Sequence, residues 1–112
     1  MANAFKTFSA QNIDTSSTGK TTLYTCPSST ETTIIGLNIA NILTVSITVT
    51  VELLDGGSTI THVVKDAIVP VGSSLVAVGG PQKIVMNATD VLKVYGSQAN
   101  CCDAVLSVLE IT

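Results

Sequence analysis

The residues of this chain best suited to chemistry are its three cysteines and its single histidine. Cys101 and Cys102 are adjacent, whereas Cys26 and His62 are remote from them and from each other. Neighbouring side chains of an extended chain point to opposite faces, so Cys101 and Cys102 do not readily form a disulfide. The spacing also differs from that of zinc ligands. We therefore expect buried free thiols in a reducing compartment, with a bridge from Cys26 to Cys101 or Cys102 as the alternative.

Catalysis is disfavoured by the setting of the titratable residues. His62 lies within a segment of strand character, where we expect a rim or interface side chain rather than a general base. A spatial triad of His62 with a serine and an aspartate stays open. Most acidic residues lie in turn-like segments, where aspartate binds the local backbone; these are Asp14, Asp55, Asp66, Asp90 and Asp103. We predict no catalytic residue and expect that the chain is not an enzyme.

Several ligand motifs are present only in part. Gly19-Lys20-Thr21 matches the end of a phosphate-binding P-loop, but Asp14 stands where that motif needs its first glycine. The aspartates lack the spacing of a calcium-binding loop. Asn87-Ala88-Thr89 has the glycosylation pattern, and we interpret it as a turn because we see no secretory signal. We predict no cofactor and no bound metal.

The low charge of the chain disfavours further classes of function. Only 12% of its 112 residues are charged and the formal net charge is −3, whereas soluble domains typically carry about 25% charged residues. All five basic residues are lysines, and they are not clustered, so we expect no nucleic-acid binding. No apolar run approaches the roughly 18–20 residues of a membrane span. We therefore expect that the chain does not associate with a membrane. We also expect that it is synthesised in a cytosol.

The elements that must position these residues are short strands. Over residues 45–53 apolar residues alternate with Ser, Thr and Glu52, as in a strand with one buried and one solvent-facing side. Asp55-Gly56-Gly57 predicts a hairpin turn into a partner strand over residues 58–64. Turn residues recur throughout, and a separate short strand is predicted over residues 67–71. We predict an all-β fold: a single β-sandwich, jelly-roll or Ig-like, of about eight short antiparallel strands.

We expect one sandwich domain over residues 20–112, preceded by an extended polar N-terminal arm over residues 1–19. Around residues 32–41 one side of the predicted strand carries only small residues, which indicates close approach of another layer or chain. The last strand is apolar on both sides, as in a central or interface strand. Pro70, in the short strand predicted over residues 67–71, marks an edge or a bend. The candidate interface residues are Phe5, Phe8, Gly36, Asn38, Ala40, Pro70, Leu109 and Ile111.

Three stretches of turn-and-strand sequence follow one another in a distinctive order. They are Leu23-Tyr24-Thr25-Cys26-Pro27 leading to Ile34-Ile35-Gly36-Leu37-Asn38-Ile39-Ala40-Asn41; Val64-Lys65-Asp66-Ala67-Ile68-Val69-Pro70-Val71-Gly72-Ser73-Ser74-Leu75 leading to Gly79-Gly80-Pro81-Gln82-Lys83-Ile84-Val85; and Val105-Leu106-Ser107-Val108-Leu109-Glu110-Ile111-Thr112. Together they resemble small virion structural proteins of tailed bacteriophages, particularly of cyanobacterial and marine phages. The resemblance covers roughly residues 20–112.

The resemblance implies a virion component that is assembled in the host cytoplasm. Within that class we expect a capsid decoration (cement) protein, which contacts the major capsid protein or other virion proteins and stabilises the shell by binding only the assembled form. A homo-oligomer, favoured as a trimer, would hide strand edges. The alternatives are a tail or baseplate adaptor or fibre-attachment component and, from another class, a carbohydrate-binding module that uses Tyr24 or Tyr95.

Overall fold

The computed structural model describes residues 3–18 and 20–112. This part of the chain forms nine strands and one short 3-10 turn at Ser16–Thr18. In chain order the strands are β1 (Asn3–Ile13), β2 (Thr21–Thr25), β3 (Glu31–Asn41), β4 (Ile47–Asp55), β5 (Thr59–Val69), β6 (Ser74–Val78), β7 (Ile84–Met86), β8 (Val91–Gly96) and β9 (Cys102–Ile111). In the described part of the chain, no helix has the length and apolar character needed to cross a membrane.

The strands form two antiparallel sheets that pack face to face. Sheet I has the order β1-β9-β3-β6, with β7 also paired to β3, and sheet II has the order β2-β8-β4-β5. The pairs β1–β9, β2–β8, β3–β6 and β4–β5 are nested, as if one long hairpin were wrapped around itself. This is the jelly-roll arrangement. The predicted all-β sandwich is therefore confirmed, and the strand order selects the jelly-roll over the Ig-like form.

The core lies between the sheets and consists mainly of alternate residues of β3, β4, β8 and β9. In β9, which is central in sheet I, the side chains of Leu106 and Val108 are fully buried, while their neighbours in sequence face outward. In β4 the same alternation buries Val49 and Val51 from the side of sheet II. Branched aliphatic residues at these positions favour extended backbone and fill the space between the sheets.

Residues 3–13, which we expected to form an arm in front of the sandwich, instead form β1 at the edge of sheet I. This strand pairs with β9 in continuous register from Asn3 to Ala10. Phe8 packs against the core and Ile13 belongs to it. Most other side chains of β1 stay exposed because it is an edge strand, which explains its polar composition. Of the rest of the predicted arm, residues 14–18 follow β1 and include the 3-10 turn Ser16–Thr18, whereas Met1, Ala2 and Gly19 lie outside the described residues.

The strand predicted over residues 67–71 is not separate, because β5 continues through it to Val69. At Asp66 the backbone has a φ of 50°, and the register with β4 shifts nearby, so an irregularity of the strand stands where we predicted a break. Pro70 follows β5 directly, and its carbonyl accepts a hydrogen bond from Ser73 N (3.1 Å) in the turn to β6.

All three cysteines are buried and free. Cys26 lies near one end of β3, with its Sγ 3.2 Å from Thr32 Oγ1. Cys102 pairs with Asn41 at the opposite end of the same strand. Thr32 and Asn41 are separated by about 30 Å of extended chain, so a disulfide from Cys26 to Cys101 or Cys102 is excluded. The prediction of buried free thiols is confirmed.

Candidate functional site

Six of the eight predicted interface residues lie together on the outer face of sheet I. In β9 even-numbered residues are buried and odd-numbered residues are more exposed, so Leu109 points outward. Phe5 lies directly opposite Leu109, and residues paired across antiparallel strands share a face. The pairing of β9 with β3 places Gly36, Asn38, Ala40 and Ile111 on the same face. The six residues are Phe5, Gly36, Asn38, Ala40, Leu109 and Ile111.

This outer face is apolar and almost uncharged. The Phe5 side chain is 77% exposed and that of Val76 is 64% exposed, and Val85 and Val105 are also large exposed apolar residues. Among the described strand residues of this face, the charged side chains are Glu31, opposite Ile111, and Asp103, opposite Ala40, at the two ends of the sheet. Lys83 is exposed in the loop between β6 and β7, at the edge of the sheet, where its Nζ contacts the carbonyl oxygen of Gly80.

A shallow groove crosses the outer face between β9, β3 and β6. It is lined by Gly36, Ser107, Val76 and Val105, among others. A Cβ atom at Gly36 would lie 3.6 Å from the carbonyl oxygen of Val78, which is ordinary contact distance. The absent side chain therefore opens the groove without a conformational need for glycine at this position.

The other two predicted interface residues occupy different places. Phe8 faces the interior side of sheet I, opposite Leu106, and its ring centroid lies 4.8 Å from that of Tyr24. Pro70 is exposed in the turn after β5. Phe8 therefore belongs to the packing of the sandwich, and Pro70 does not adjoin the other six through the strand pairing of sheet I.

The outer face of sheet II is organised around a buried carboxylate. Glu52 projects from β4 on this face, and its side chain is only 3% exposed. Lys20 Nζ donates to Glu52 Oε1 at 2.9 Å and to Oε2 at 3.1 Å. His62 Nε2 lies 3.4 Å from Glu52 Oε2, and Lys93 is the cross-strand neighbour on the other side. The expected solvent-facing side of β4 is thus covered by side chains from neighbouring strands.

Further polar contacts extend this cluster across sheet II. Lys20 Nζ also lies 5.5 Å from the centre of the Tyr95 ring, a distance at which a cation attracts an aromatic face. Thr50, which is buried beside Glu52, accepts a hydrogen bond from the backbone N–H of Asp66 (3.0 Å). Glu52 and Thr50 are therefore satisfied by groups of the same chain, and covering this face with a partner would cost the free energy of desolvating its charged side chains.

A second polar network lies in the interior, where the edges of β1 and β2 meet. The Tyr24 hydroxyl donates to Glu110 Oε2 at 2.5 Å, and Lys6 Nζ contacts Glu110 Oε1 at 2.8 Å. Because the Tyr24 proton is used on Glu110, the Thr32 hydroxyl donates to the Tyr24 oxygen (2.8 Å). The Cys26 thiol follows at 3.2 Å from Thr32.

The charges of this network are fixed by their surroundings. The hydrogen bonds from Lys6 and Tyr24 hold the pKa of Glu110 below its ordinary value, although burial opposes them. Burial and the bond to the carboxylate raise the pKa of Tyr24 well above its usual range. The network therefore consists of an ionised carboxylate and a neutral phenol, an arrangement that ties β1 and β2 to β9.

Sequence reasoning missed Glu52 and Glu110 as organising residues. Glu110 occupies the buried phase of β9, two residues beyond Val108, and this period-two position was a signal that it is buried. Glu52 gave the opposite signal, because it alternates with core residues of β4. Its burial arises from partners elsewhere in the chain, including Lys20 and His62.

The residues of the remaining predicted sites take part in ordinary contacts within the fold. Lys20 of the partial P-loop is engaged with Glu52, whereas Gly19 lies outside the described residues. Asn87 lies at a turn, where its backbone N–H donates to Asp90 Oδ2 (2.9 Å). Burial raises the pKa of the Cys102 thiol. Within residues 3–18 and 20–112, no group of three or more His, Cys, Asp or Glu side chains is arranged to hold a metal ion.

The comparisons with known proteins give a likeness in fold to a solved structure. No protein-family model matches the chain, and no curated protein matches it. Among solved structures, the chain is similar to a protein described with the disulfide-linked pili that form Bacillus endospore appendages. The TM-score is 0.59 at 18% sequence identity, over 99% of this chain and 87% of that chain. A likeness at this identity shows that the two proteins share a fold.

Proposed function

We propose that this chain is a structural subunit that acts by packing against other protein chains and not by catalysis. The outer face of sheet I carries the proposal, because it is apolar and is built on strands whose described residues carry no charged side chain on this face except at its two ends. Exposed apolar patches of this kind mark interaction sites on soluble proteins. Low charge reduces the free energy needed to remove such a face from water.

The size of the face fits this role. The ten residues of β9 span about 33 Å, and four neighbouring strands span about 19 Å. The face thus offers up to about 600 Å² per chain, and a contact that used all of it would bury up to about 1,200 Å² in total. That total is the lower end of the range for stable, specific interfaces.

Two kinds of assembly agree with the observations. The three sequence stretches described above support decoration of a phage capsid, where this face would contact the major capsid protein or a neighbouring subunit. A tail or baseplate position is the alternative within the same class. The likeness to an endospore appendage protein supports a subunit of a pilus-like filament, which we retain as the second candidate.

A carbohydrate-binding module is a weaker proposal than either assembly. Its two candidate platforms were Tyr24 and Tyr95. The Tyr24 ring is only 4% exposed and its hydroxyl is held by Glu110, so it does not offer a face for sugar stacking. Tyr95 is partly buried and lies beside Lys20.

Immunogold electron microscopy tests the proposal on material from the source of the sequence. An antibody against this chain should label phage particles or surface filaments at regular intervals. A copy number that follows the capsomers would favour decoration, whereas a number that follows the tail symmetry would favour the tail position. Recovery of the chain only in the soluble fraction, as a monomer or small oligomer, would overturn the proposal.

A further inference from the structure

We infer that the outer face of sheet I pairs with the same face of a second copy of this chain, in a twofold contact. The inference rests on the proposed function, since it names the partner of the surface proposed there. The feature that points to a second copy is that one face carries both a protruding ring, Phe5, and an open groove above Gly36.

The ring and the groove are placed so that two copies can exchange them. Phe5 lies opposite Leu109 of β9, and Gly36 lies opposite Ser107 of the same strand. They are therefore two strands apart and shifted by two residues, a separation of about 12 Å. A twofold axis in the plane of the contact, crossing β9 between them, places each Phe5 over the groove of the other copy.

The groove has the chemistry that an aromatic ring needs. Val76 and Val105 give it apolar walls, and Gly36 leaves part of its floor without a side chain. Ser107 adds only a small hydroxyl group. A phenyl ring entering this groove would displace water from apolar surface on both partners, which favours association.

The distribution of charge supports a partner of the same kind. The chain has a formal net charge of −3, so two copies repel each other only weakly in most relative orientations. The ends of the outer face of sheet I carry Glu31 and Asp103, whereas the paired strand residues between them carry no charge. Lys83 lies at the edge, in the loop between β6 and β7. The face therefore lets two identical chains meet without opposing like charges at the centre of the contact.

Crossed charge variants test the reciprocal contact by sedimentation velocity on the recombinant full chain. The wild type should form a dimer. Phe5→Lys replaces the ring with a cation, and Ser107→Glu places an anion in the groove. Each variant alone should be monomeric at concentrations where the wild type is dimeric, with a Kd at least about tenfold higher.

Mixing the two variants is the decisive arm. In a heterodimer the lysine of one copy meets the glutamate of the other, while the second ring and groove remain wild type, so a 1:1 heterodimer should reappear. Ile60→Lys, at an exposed position on the other outer face, is the matched control and should dimerise like the wild type. Thermal unfolding of each variant checks that it is folded.

The outcomes separate this inference from the proposed function. A wild-type chain that is monomeric or trimeric overturns the twofold contact, although labelling of particles by the antibody would still support a structural subunit. Folded variants that remain monomeric when mixed, beside a dimeric wild type, show that Phe5 does not enter the groove. A dimer lost equally in Ile60→Lys would likewise contradict the assigned face.

Discussion

The outer face of sheet II places Lys20, His62 and Lys93 around the buried Glu52, whereas the described strand residues at the centre of the outer face of sheet I carry no charged side chain. Both faces are formed by antiparallel strands of similar length in one jelly-roll. On sheet II, side chains of the same chain already satisfy the polar groups, and a partner would have to desolvate them. On sheet I, exposed apolar side chains lose little by leaving water. The difference indicates which face is suited to association.

The largest expected effect is on association, and it is tested with one lysine substitution on each outer face. Val76→Lys on sheet I should weaken association by at least about 100-fold, because an unpaired lysine would be buried in the contact. Ile68→Lys is the matched control, since Ile68 is 71% exposed at the edge of sheet II and Val76 is 64% exposed at the edge of sheet I. Light scattering at matched concentrations measures both. Equal loss of association in the two variants would remove the distinction.

Stability should show the opposite ranking of the faces. Glu52→Ala leaves Lys20 and His62 without their shared carboxylate, and we expect it to lower the free energy of unfolding by about 1–3 kcal/mol. Ser107→Ala on the outer face of sheet I should change it by no more than about 0.5 kcal/mol. Urea denaturation followed by circular dichroism measures both. A destabilisation by Ser107→Ala as large as that by Glu52→Ala would contradict this ranking.

A smaller effect on the free energy of unfolding, seen only at acidic pH, is expected for the polar network on the interior side of sheet I. The pKa of Glu110 in the folded chain is held below its ordinary value of 4.5. Its ionised form therefore contributes stability above that pH, and the contribution is lost as the pH falls through the folded value. Glu110→Gln should flatten the loss of stability between neutral and acidic pH in urea titrations. An unchanged pH profile would show that this carboxylate does not couple to folding.

The smallest expected effect is that of reducing agents. Cys26, Cys101 and Cys102 are all buried, so native chains should associate without disulfides between subunits. We expect the same sedimentation profile with and without dithiothreitol, and thiol labelling only after unfolding. The solved pili to which the fold is similar are described as disulfide-linked. Dissociation of the native assembly by reductant would contradict association without disulfides.

Local patterns predicted much of the fold. The alternation in β4 and the turn at Asp55-Gly56-Gly57 placed the β4–β5 hairpin correctly, and β9 is a central strand as its two apolar sides indicated. Local patterns did not predict the strand order, because pairs such as β1–β9 join residues from the two ends of the chain. The polar sequence of β1 also concealed its pairing, since an edge strand exposes most of its side chains.

The candidate site was predicted in part for the same reason. Small or apolar residues at alternate positions of β3 and β9 indicated a contact surface, and the register brings them to one face. The polar networks were not predicted, because their partners are distant in sequence: Tyr24 contacts Glu110, 86 residues away, and Lys20 contacts Glu52, 32 residues away. Only the folded arrangement shows that these side chains neutralise each other.

Hydroxyl-radical footprinting of the assembled and dissociated chain measures most directly which outer face is covered. Phe5 reports on sheet I, whereas His62 and Tyr95 report on sheet II. Assembly through the outer face of sheet I should protect Phe5 from oxidation and leave the rates at His62 and Tyr95 unchanged. Protection of His62 and Tyr95 with Phe5 still fully reactive would contradict the assignment of the association surface to sheet I.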